Sequence, residues 1–566
     1  MQVSRADGVS EQKPTAAPIS EAPVQTVTLY HWLVVILASC GWLFDCFGQR
    51  VFVLSREPAI RELLGVGASD ASVAKWMGSA TAALMIGWGT GGILFGMVSD
   101  RYGRVKAMLI TLVTYTIFSG LAGFARSVGE FLVLRFLFGV GVGGMFGAAT
   151  TLIAESVPRR FRTSALGAMQ ALSATGNILA SALSLQIIPG QDNFWGHFSG
   201  WQVLSFASVV PLLLAVPVAL ILREPESWRK AKATMAQGGK AVGSMADLFR
   251  HPIWRRNAFV GIGLGLAGMV GLWGIGFFSP ELIRTAFRDR PLQTEEIVKP
   301  DELFSAIAVP ANPAVARLKS FLSPDFLNSL SPQSTFHSPQ SPTIAAVVAD
   351  LNRVMQRDDL YDETAFSGIT LKKSTTNLLS ARKSGGHVNV RWLNRQLLEQ
   401  LFPGTIRGLQ PTIDHTISFG TMIQDAGSVL GMLAFTFVAS RFSRRTAFLA
   451  AFIFCLGAVS YVFYSLKTSS DVYWMLPLLG FATLSCFAGY SIYFPELFPT
   501  RLRGTGVGLC YNTVRYLAAG SPYLLGWLNA YWPFRTVAVA MSSIYLVGIL
   551  ALLWAPETKG KPLPED

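Results

Sequence analysis

The chain has 566 residues, of which 51% are apolar and only 14% charged, and it carries a formal charge of +13 and five cysteines. Charge that sparse excludes an ordinary soluble multidomain protein. Because the basic residues fall in short loops between apolar runs, the positive balance points to an anionic membrane leaflet and excludes nucleic acid as the partner.

Residues 1–28 are polar and rich in Pro, Ala and Ser, without a short apolar core or cleavage site, so a disordered tail is expected rather than a signal peptide. Twelve apolar runs of spanning length follow, at roughly 31–54, 75–98, 106–125, 129–153, 165–188, 201–222, 257–280, 416–439, 446–466, 473–495, 505–528 and 535–555. They are too long for barrel strands and lack strict alternation. The expected fold class is therefore an all-α polytopic membrane protein with twelve transmembrane helices. From Thr163 to Leu222 there is no Lys or Arg and Asp192 is the sole acid, which leaves room for two spans of about 20 residues. Cys40, Cys46, Cys455, Cys486 and Cys510 all fall inside these runs and read as packing residues. No histidine lies deep in a run, which removes a His proton relay.

Orientation follows from the loops. Arg101, Arg104 and Lys106 follow span two; Arg159, Arg160 and Arg162 follow span four; Arg441, Arg444 and Arg445 follow span eight; Arg501 and Arg503 follow span ten. The 223–256 segment adds eight Lys/Arg against three acids. With alternating spans all of these share one side, and the positive-inside rule makes that side, and both termini, cytoplasmic. The expected organisation is a cytoplasmic tail (1–28), an N-terminal six-helix bundle (29–222), a cytoplasmic central loop (223–256), helix seven (257–280), an extracytoplasmic insertion (281–415), and helices eight to twelve with the C-terminal tail (416–566).

A repeat organises these loops. Glu155, Pro158, Arg160, Arg162 and Gly167 reappear as Glu496, Pro499, Arg501, Arg503 and Gly508, each 341 residues on, and Arg101 and Arg104 reappear as Arg441 and Arg444 at an offset of 340. Two matches at one spacing indicate a duplicated unit, hence two pseudo-symmetric six-helix bundles. The symmetry is broken by roughly 115 extra residues between spans seven and eight. That insertion carries 15 Lys/Arg and 14 Asp/Glu. Ser-Pro pairs at Ser323, Ser331, Ser338 and Ser341 make its first half read as loop. Two amphipathic helices are expected in its second half, Thr343–Gln356 and Asn389–Phe402.

Gly96-Met-Val-Ser-Asp100-Arg101-Tyr-Gly103-Arg104 resembles the signature loop between spans two and three of the major facilitator superfamily, and Arg135-Phe-Leu-Phe-Gly139-Val-Gly141 its second motif. Glu224-Pro-Glu-Ser-Trp228, Pro495-Glu-Leu-Phe-Pro499 with Arg501 and Arg503, and Pro556-Glu-Thr-Lys-Gly560 resemble the sugar-porter and metabolite:proton symporter branches. The resemblance covers both halves but neither the tail nor 281–415. This sequence departs from the pattern at Val105, Ser440 and Ser443. The resemblance implies that the loop after span two, with Gly96, Asp100, Arg101, Gly103 and Arg104, latches the halves during alternating access. Glu155, Arg162, Glu496 and Arg503 join it as gating residues, the alternative being that these charges only anchor topology. On physical grounds Gly92 and Gly96 permit close approach of span two, and Asp100 can meet an Arg or the N-terminal end of a facing helix such as span eleven near Gly504.

An ionisable group near the bilayer centre needs a partner or a wet cavity. Asp45, Arg135, Asp425 and Arg515 all lie within a turn or two of the expected midplane, the depth at which transporters bind. Asp45 is the candidate proton-coupling carboxylate, with Arg135 as its modulator; the alternative is a permanent Asp45–Arg135 ion pair. Arg135 and Arg515 offer fixed positive charge to a carboxylate substrate, the alternative for Arg515 being a simple pair with Asp425. Gln170, Asn177, Gln424 and Asn512 add neutral hydrogen-bonding groups. Trp273 and Tyr490, with Trp42, Tyr493, Tyr511 and Tyr516, are placed to stack on a ring, against the alternative of packing. Span seven, rich in glycine, reads as a hinge or a tight interface.

These features predict a proton-coupled symporter of a small organic anion such as a sugar acid or aromatic acid, probed against two alternatives, a neutral sugar porter or a metabolite exporter. A transporter-like sensor using the outer insertion is the alternative of another class. No ATP-binding loop, nucleophile–base set or metal-ligand spacing is present, so neither an enzyme nor a cofactor is expected. The partners expected are the solute, protons and lipid, around a monomer in the inner membrane.

Overall fold

The computed structural model describes residues 26–65, 70–187, 197–238, 240–330, 343–371, 373–383, 388–528 and 531–565. Most of the expected tail, and the Ser-Pro pairs at Ser331, Ser338 and Ser341, lie outside the described residues. Among those described there are helices and isolated bridges but no strands. Ten helices are long and apolar enough to cross a membrane. In chain order the main helices are α1 Leu29–Leu64, α2 Asp70–Tyr102, α3 Arg104–Leu121, α4 Val128–Ser156, α5 Arg159–Gln186, α6 Gly200–Ile221 and α7 Pro252–Gly274. After the insertion come α8 Gln410–Arg441, α9 Arg444–Ser465, α10 Ser469–Tyr493, α11 Arg503–Asn512, α12 Val514–Leu528 and α13 Phe534–Ala551. Two of the twelve apolar runs fall short of the criterion for different reasons. The Ser, Thr, Asn and Gln content of α5 lowers its apolarity, and the break at Thr513 splits the other run into α11 and α12.

The repeat is visible as packing. Gly87 and Gly91 of α2 press on the backbone oxygens of Phe136 and Val140 in α4, so closely that an added Cβ would stand 2.1 and 1.9 Å from them. Gly427 and Gly431 of α8, each 340 residues later, press in the same way on Pro477 and Phe481 of α10, with a Cβ 2.1 Å from each oxygen. Lipid offers helices no hydrophobic drive to associate, so such small-residue seams hold the pairs by van der Waals contact. One apolar core runs through both halves, which meet along two seams, α2 on α11 and α5 on α8.

The insertion has an apolar core of its own, including Leu303, Leu318, Leu351, Leu393 and Leu397. Its expected loop-like first half is instead helical, at Pro300–Ala308, Pro313–Ser320 and Pro324–Ser329. Each proline sits in the first turn, where its missing N–H costs nothing, so Ser323-Pro324 marks a helix start with Ser323 as N-cap. The two amphipathic helices run Ile344–Val354 and Val390–Leu401, capped by Thr343 and Asn389. Trp392 joins the core of the main body, docking the insertion to it.

Candidate functional site

Helix α1 carries Asp45 into the middle of the molecule, where it is fully buried and, among the described residues, neither carboxylate oxygen has a hydrogen-bond partner. Gln49, one turn on, likewise has a buried Nε2 without a partner. Arg515 of α12 lies close enough to Asp45 for the two charges to interact. Arg135 on α4 lies among Phe52, Phe131 and Phe138, its guanidinium carbon 5.2, 4.7 and 5.7 Å from their ring centres, with Nε and Nη1 unpartnered among the described residues. Among the described residues no ion pair joins Arg135 to Asp45, so the alternative of a permanent pair is not what the structure holds; aromatic faces, which attract cations, surround Arg135 instead.

Arg515 is buried over the face of Trp88, 3.3 Å from the ring centre, and 4.9 Å from that of Tyr511. Its Nε donates to Asn512 Oδ1 at 3.3 Å, and its Nη1 has no partner among the described residues. Trp273 of α7 meets Trp88 edge-on at 6.0 Å. Tyr511 stacks on Phe146 at 3.7 Å, and Trp42 packs beside them while donating from Nε1 to Gln170 Oε1 at 3.2 Å. Cation, carboxylate and aromatic rings thus converge where the two halves meet.

Asp425 does not pair with Arg515. Its carboxylate accepts from Arg50 of α1, a residue the depth argument had overlooked although it follows Asp45 by five positions in the same run. Asn177 of α5 stands beside Asp425, and Gln424 has a buried Oε1 without a partner. Tyr490 borders the site through its ring, which meets Tyr511 edge-on at 6.3 Å, while its hydroxyl donates to Leu264 O at 2.7 Å within a ring cluster with Phe448 and Phe494.

At the end of the bundle where the basic loops gather, one arrangement occurs twice. Arg104 donates from Nε and Nη2 to Glu155 at 3.1 and 3.0 Å, and from Nη1 to Ser99 O at 2.8 Å. Arg444 donates from Nε and Nη2 to Glu496 at 3.1 and 2.8 Å, and from Nη1 to Ala439 O at 2.7 Å. The helix that each arginine opens is capped by an acid from a distant segment. Glu224 accepts from the N–H groups of Arg104, Val105 and Lys106 at 2.7 to 3.2 Å, and Glu557 from those of Arg444 and Arg445 at 3.1 and 3.2 Å. Both are favourable contacts of a carboxylate with a helix N-terminus. Partial burial pushes the Glu557 carboxyl up, but the backbone N–H groups of Lys559, Arg444 and Arg445 win and hold it below the usual carboxylate range. Gly103, at φ +123°, makes room for Glu224, whose Oε1 would lie 2.2 Å from an added Cβ.

The halves are joined at this end by Asp100, which accepts from the N–H groups of Gly504 and Thr505 at 3.0 and 2.8 Å and from Thr505 Oγ1 at 2.7 Å. Gly96 permits the approach, since a Cβ there would stand 2.6 Å from Gly504 O. Arg503 donates to Glu155 at 2.5 Å, Arg104 to Thr500 O at 2.8 Å and Arg444 to Thr163 Oγ1 at 2.7 Å, all across the same divide. Ser440, in the place of Asp100, bonds among the described residues within its own helix, to Phe437 O at 2.8 Å. Arg101 is exposed, and Arg162 has an unpartnered Nε among the described residues. The capping acids Glu224 and Glu557 were quoted in sequence motifs without a role; their matching positions, each following the last helix of a half, were the available signal.

A family model described as Major Facilitator Superfamily matches residues 33–298, and one described as Sugar (and other) transporter matches 407–565, so each half is recognised separately. The chain belongs to the major facilitator superfamily. The two matching models describe transporters, not enzymes. The chain is 32% identical over 212 residues, 37% of its length, to the cis,cis-muconate transport protein of Acinetobacter baylyi, and the match spans 48% of that relative, about half its length. A putative metabolite transport protein of Haemophilus influenzae is 26% identical over 95% of this chain and 99% of its own. Further relatives are named as transporters of gentisate, benzoate and gallate. Among solved structures the MFS proton:xylose symporter XylE superposes with a TM-score of 0.55 at 16% identity, over 94% of this chain and 98% of that one, a likeness of fold.

Proposed function

We propose that this transporter is a proton-coupled symporter for a small organic anion, with an aromatic or unsaturated carboxylic acid as its substrate. The observation that carries the reading is Arg515: a buried guanidinium against Trp88 and Tyr511, near a carboxylate, with one Nη group and both carboxylate oxygens lacking a hydrogen-bond partner among the described residues. A substrate carboxylate matches the open guanidinium edge and its ring or double bonds match the aromatic walls. The names of the muconate and gentisate relatives agree with that chemistry. In this scheme Asp45 takes the proton and Arg515, with Arg135 further off, sets the field it feels. Arg515, Asn512, Gln170 and Trp273 hold the substrate; Asp425, Asn177, Gln424 and Tyr490 complete the polar and aromatic surroundings.

Alternating access then uses twelve spans, counting the polar-rich α5 and the broken α11–α12, which both border the opposite half. Gly96, Asp100, Arg101, Gly103, Arg104, Glu155, Arg162, Glu496 and Arg503 form the gate at the basic end. The positive-inside rule puts that end, and both termini, in the cytoplasm, and the insertion outside the inner membrane. The protein acts as a monomer.

The test is uptake into proteoliposomes under an imposed pH gradient, inside alkaline, of muconate, gentisate and benzoate against xylose. Accumulation of a carboxylate that collapses with the gradient supports the proposal. Accumulation of xylose alone, or efflux without proton coupling, replaces it with the sugar-porter or exporter alternative, and no flux of any solute favours a sensor.

A further inference from the structure

The two seams between the halves are closed by different means. At α2 on α11 the chain supplies its own anions: Asp100 on the N-terminus of α11, and Glu155 on Arg503. At α5 on α8 the position of Asp100 is held by Ser440, and instead of a carboxylate there is a cavity of about 340 Å³. Its walls come from both halves, Arg159, Arg160 and Arg162 from one and Arg444, Lys559 and Lys561 from the other. Glu496 is the single acid among the lining residues, and it is already engaged by Arg444 and, at 2.5 Å, by the Thr558 hydroxyl.

Arg162 shows the consequence. Its repeat counterpart Arg503 is satisfied by Glu155, Thr500, Pro495 and Pro564. Arg162 Nε is buried and, among the described residues, has no partner. A buried donor left unmade is costly, and six cations facing one neutralised acid repel one another unless an anion lies between them. The forked donors of three arginines and two flexible lysines suit a phosphate better than a carboxylate, since they can address several oxygens at once. The C-terminal segment closes one side of the cavity at Gly560, where an added Cβ would lie 3.8 Å from Arg159 Nη2.

We propose that this cavity binds a phosphate-bearing polyanion, either a soluble di- or triphosphate group or an anionic phospholipid headgroup. The bound anion replaces the carboxylate that this seam lacks and ties the two halves together at their basic end.

Full-length protein stripped of lipid is titrated with sodium tripolyphosphate, reading saturable binding and the melting temperature. In parallel it is exposed to phosphatidylglycerol or phosphatidylcholine vesicles, and retained lipid is read by native mass spectrometry. Saturable tripolyphosphate binding that raises the melting temperature, weakened roughly tenfold by Arg162→Gln and again by Lys561→Gln, supports the site with a soluble phosphate. Selective retention of phosphatidylglycerol, lost in the same variants, supports it with a headgroup. Arg250→Gln, which removes a basic-end cation outside the cavity, leaves both readouts unchanged. Lys561 is exposed in the C-terminal segment, so its replacement keeps the test valid if Arg162→Gln misfolds. Binding of neither probe, or binding equal in the wild type and the folded variants, overturns the proposal.

Discussion

Asp425 of α8 accepts a hydrogen bond from Arg50 of α1, so a carboxylate of the second half is neutralised by a guanidinium of the first. Arg50 lies 21 residues beyond the start of α1, about 31 Å along the helix, towards the end away from the basic loops. Asp100 bridges the halves at the basic end, and this pair joins them near mid-helix in α8, on the way to the other end.

Removing one member of that pair leaves the other charge buried, at a cost on the order of 3 kcal/mol. Arg50→Gln and Asp425→Asn are each expected to lower the melting temperature and to increase labelling of a cysteine placed at that end. The swapped double variant, Arg50→Asp with Asp425→Arg, should recover more than half of the lost stability. A swap no better than the single changes would show that the pair does not hold the halves.

Asp45→Asn removes a buried charge that has no hydrogen-bond partner among the described residues, so it should leave the melting temperature unchanged or raise it. The same change should abolish accumulation driven by a pH gradient while substrate counterflow persists. Arg515→Gln should abolish counterflow as well, because it removes the group that meets the substrate. Gradient-driven accumulation by the Asp45 variant would remove that residue from the coupling step.

At the basic end, Asp100→Asn exchanges an anionic cap of α11 for a neutral one, and Gly96→Ala forces α2 and α11 apart. Each should cost about 1–2 kcal/mol of the closed arrangement and lengthen spin-label distances between the two halves at that end. Distances indistinguishable from wild type in both variants would count against a latch at this seam.

Glu557 gives a pH signature. Its folded carboxyl lies below its unfolded value of about 4.3, so its contribution is present above that pH and is lost as the pH falls through the lower folded value. Glu557→Gln should therefore melt earlier than wild type at pH 6 to 7, with the difference vanishing under strongly acid conditions. A difference that persists in acid would assign the effect to shape instead of charge.

The insertion has its own apolar core and touches the main body through residues such as Trp392. Replacing 300–400 by a short linker is expected to leave uptake within about twofold, as for a surface element outside the buried machinery. Loss of all activity in a variant that still folds would move the functional assignment towards the insertion.

Local features were readable because their causes are local. The length and apolarity of the runs, and the helix starts at Thr343 and Asn389 with their apolar periodicity, depend on neighbours a few residues away, and the repeat at an offset of 341 is read by matching two short loops to each other. The prolines of the insertion misled for the same reason: Pro after Ser signals a turn, and only the following residues decide whether that turn opens a helix.

Partner choice was decided by the tertiary structure. Sequence puts Asp45, Arg135, Asp425 and Arg515 at similar depth, but depth says nothing of rotation about each helix axis, so a pair of Asp425 with Arg515 stays open as an alternative and Arg50 goes unnoticed. Rotation is set by glycine seams such as Gly91 on Val140 and Gly431 on Phe481, which let backbones touch in one register only. The chain by itself therefore determined which segments enter the membrane and that they come in two copies. The packing of those copies determined which charges meet, because a buried ion pair forms only where both helices present the right face at once.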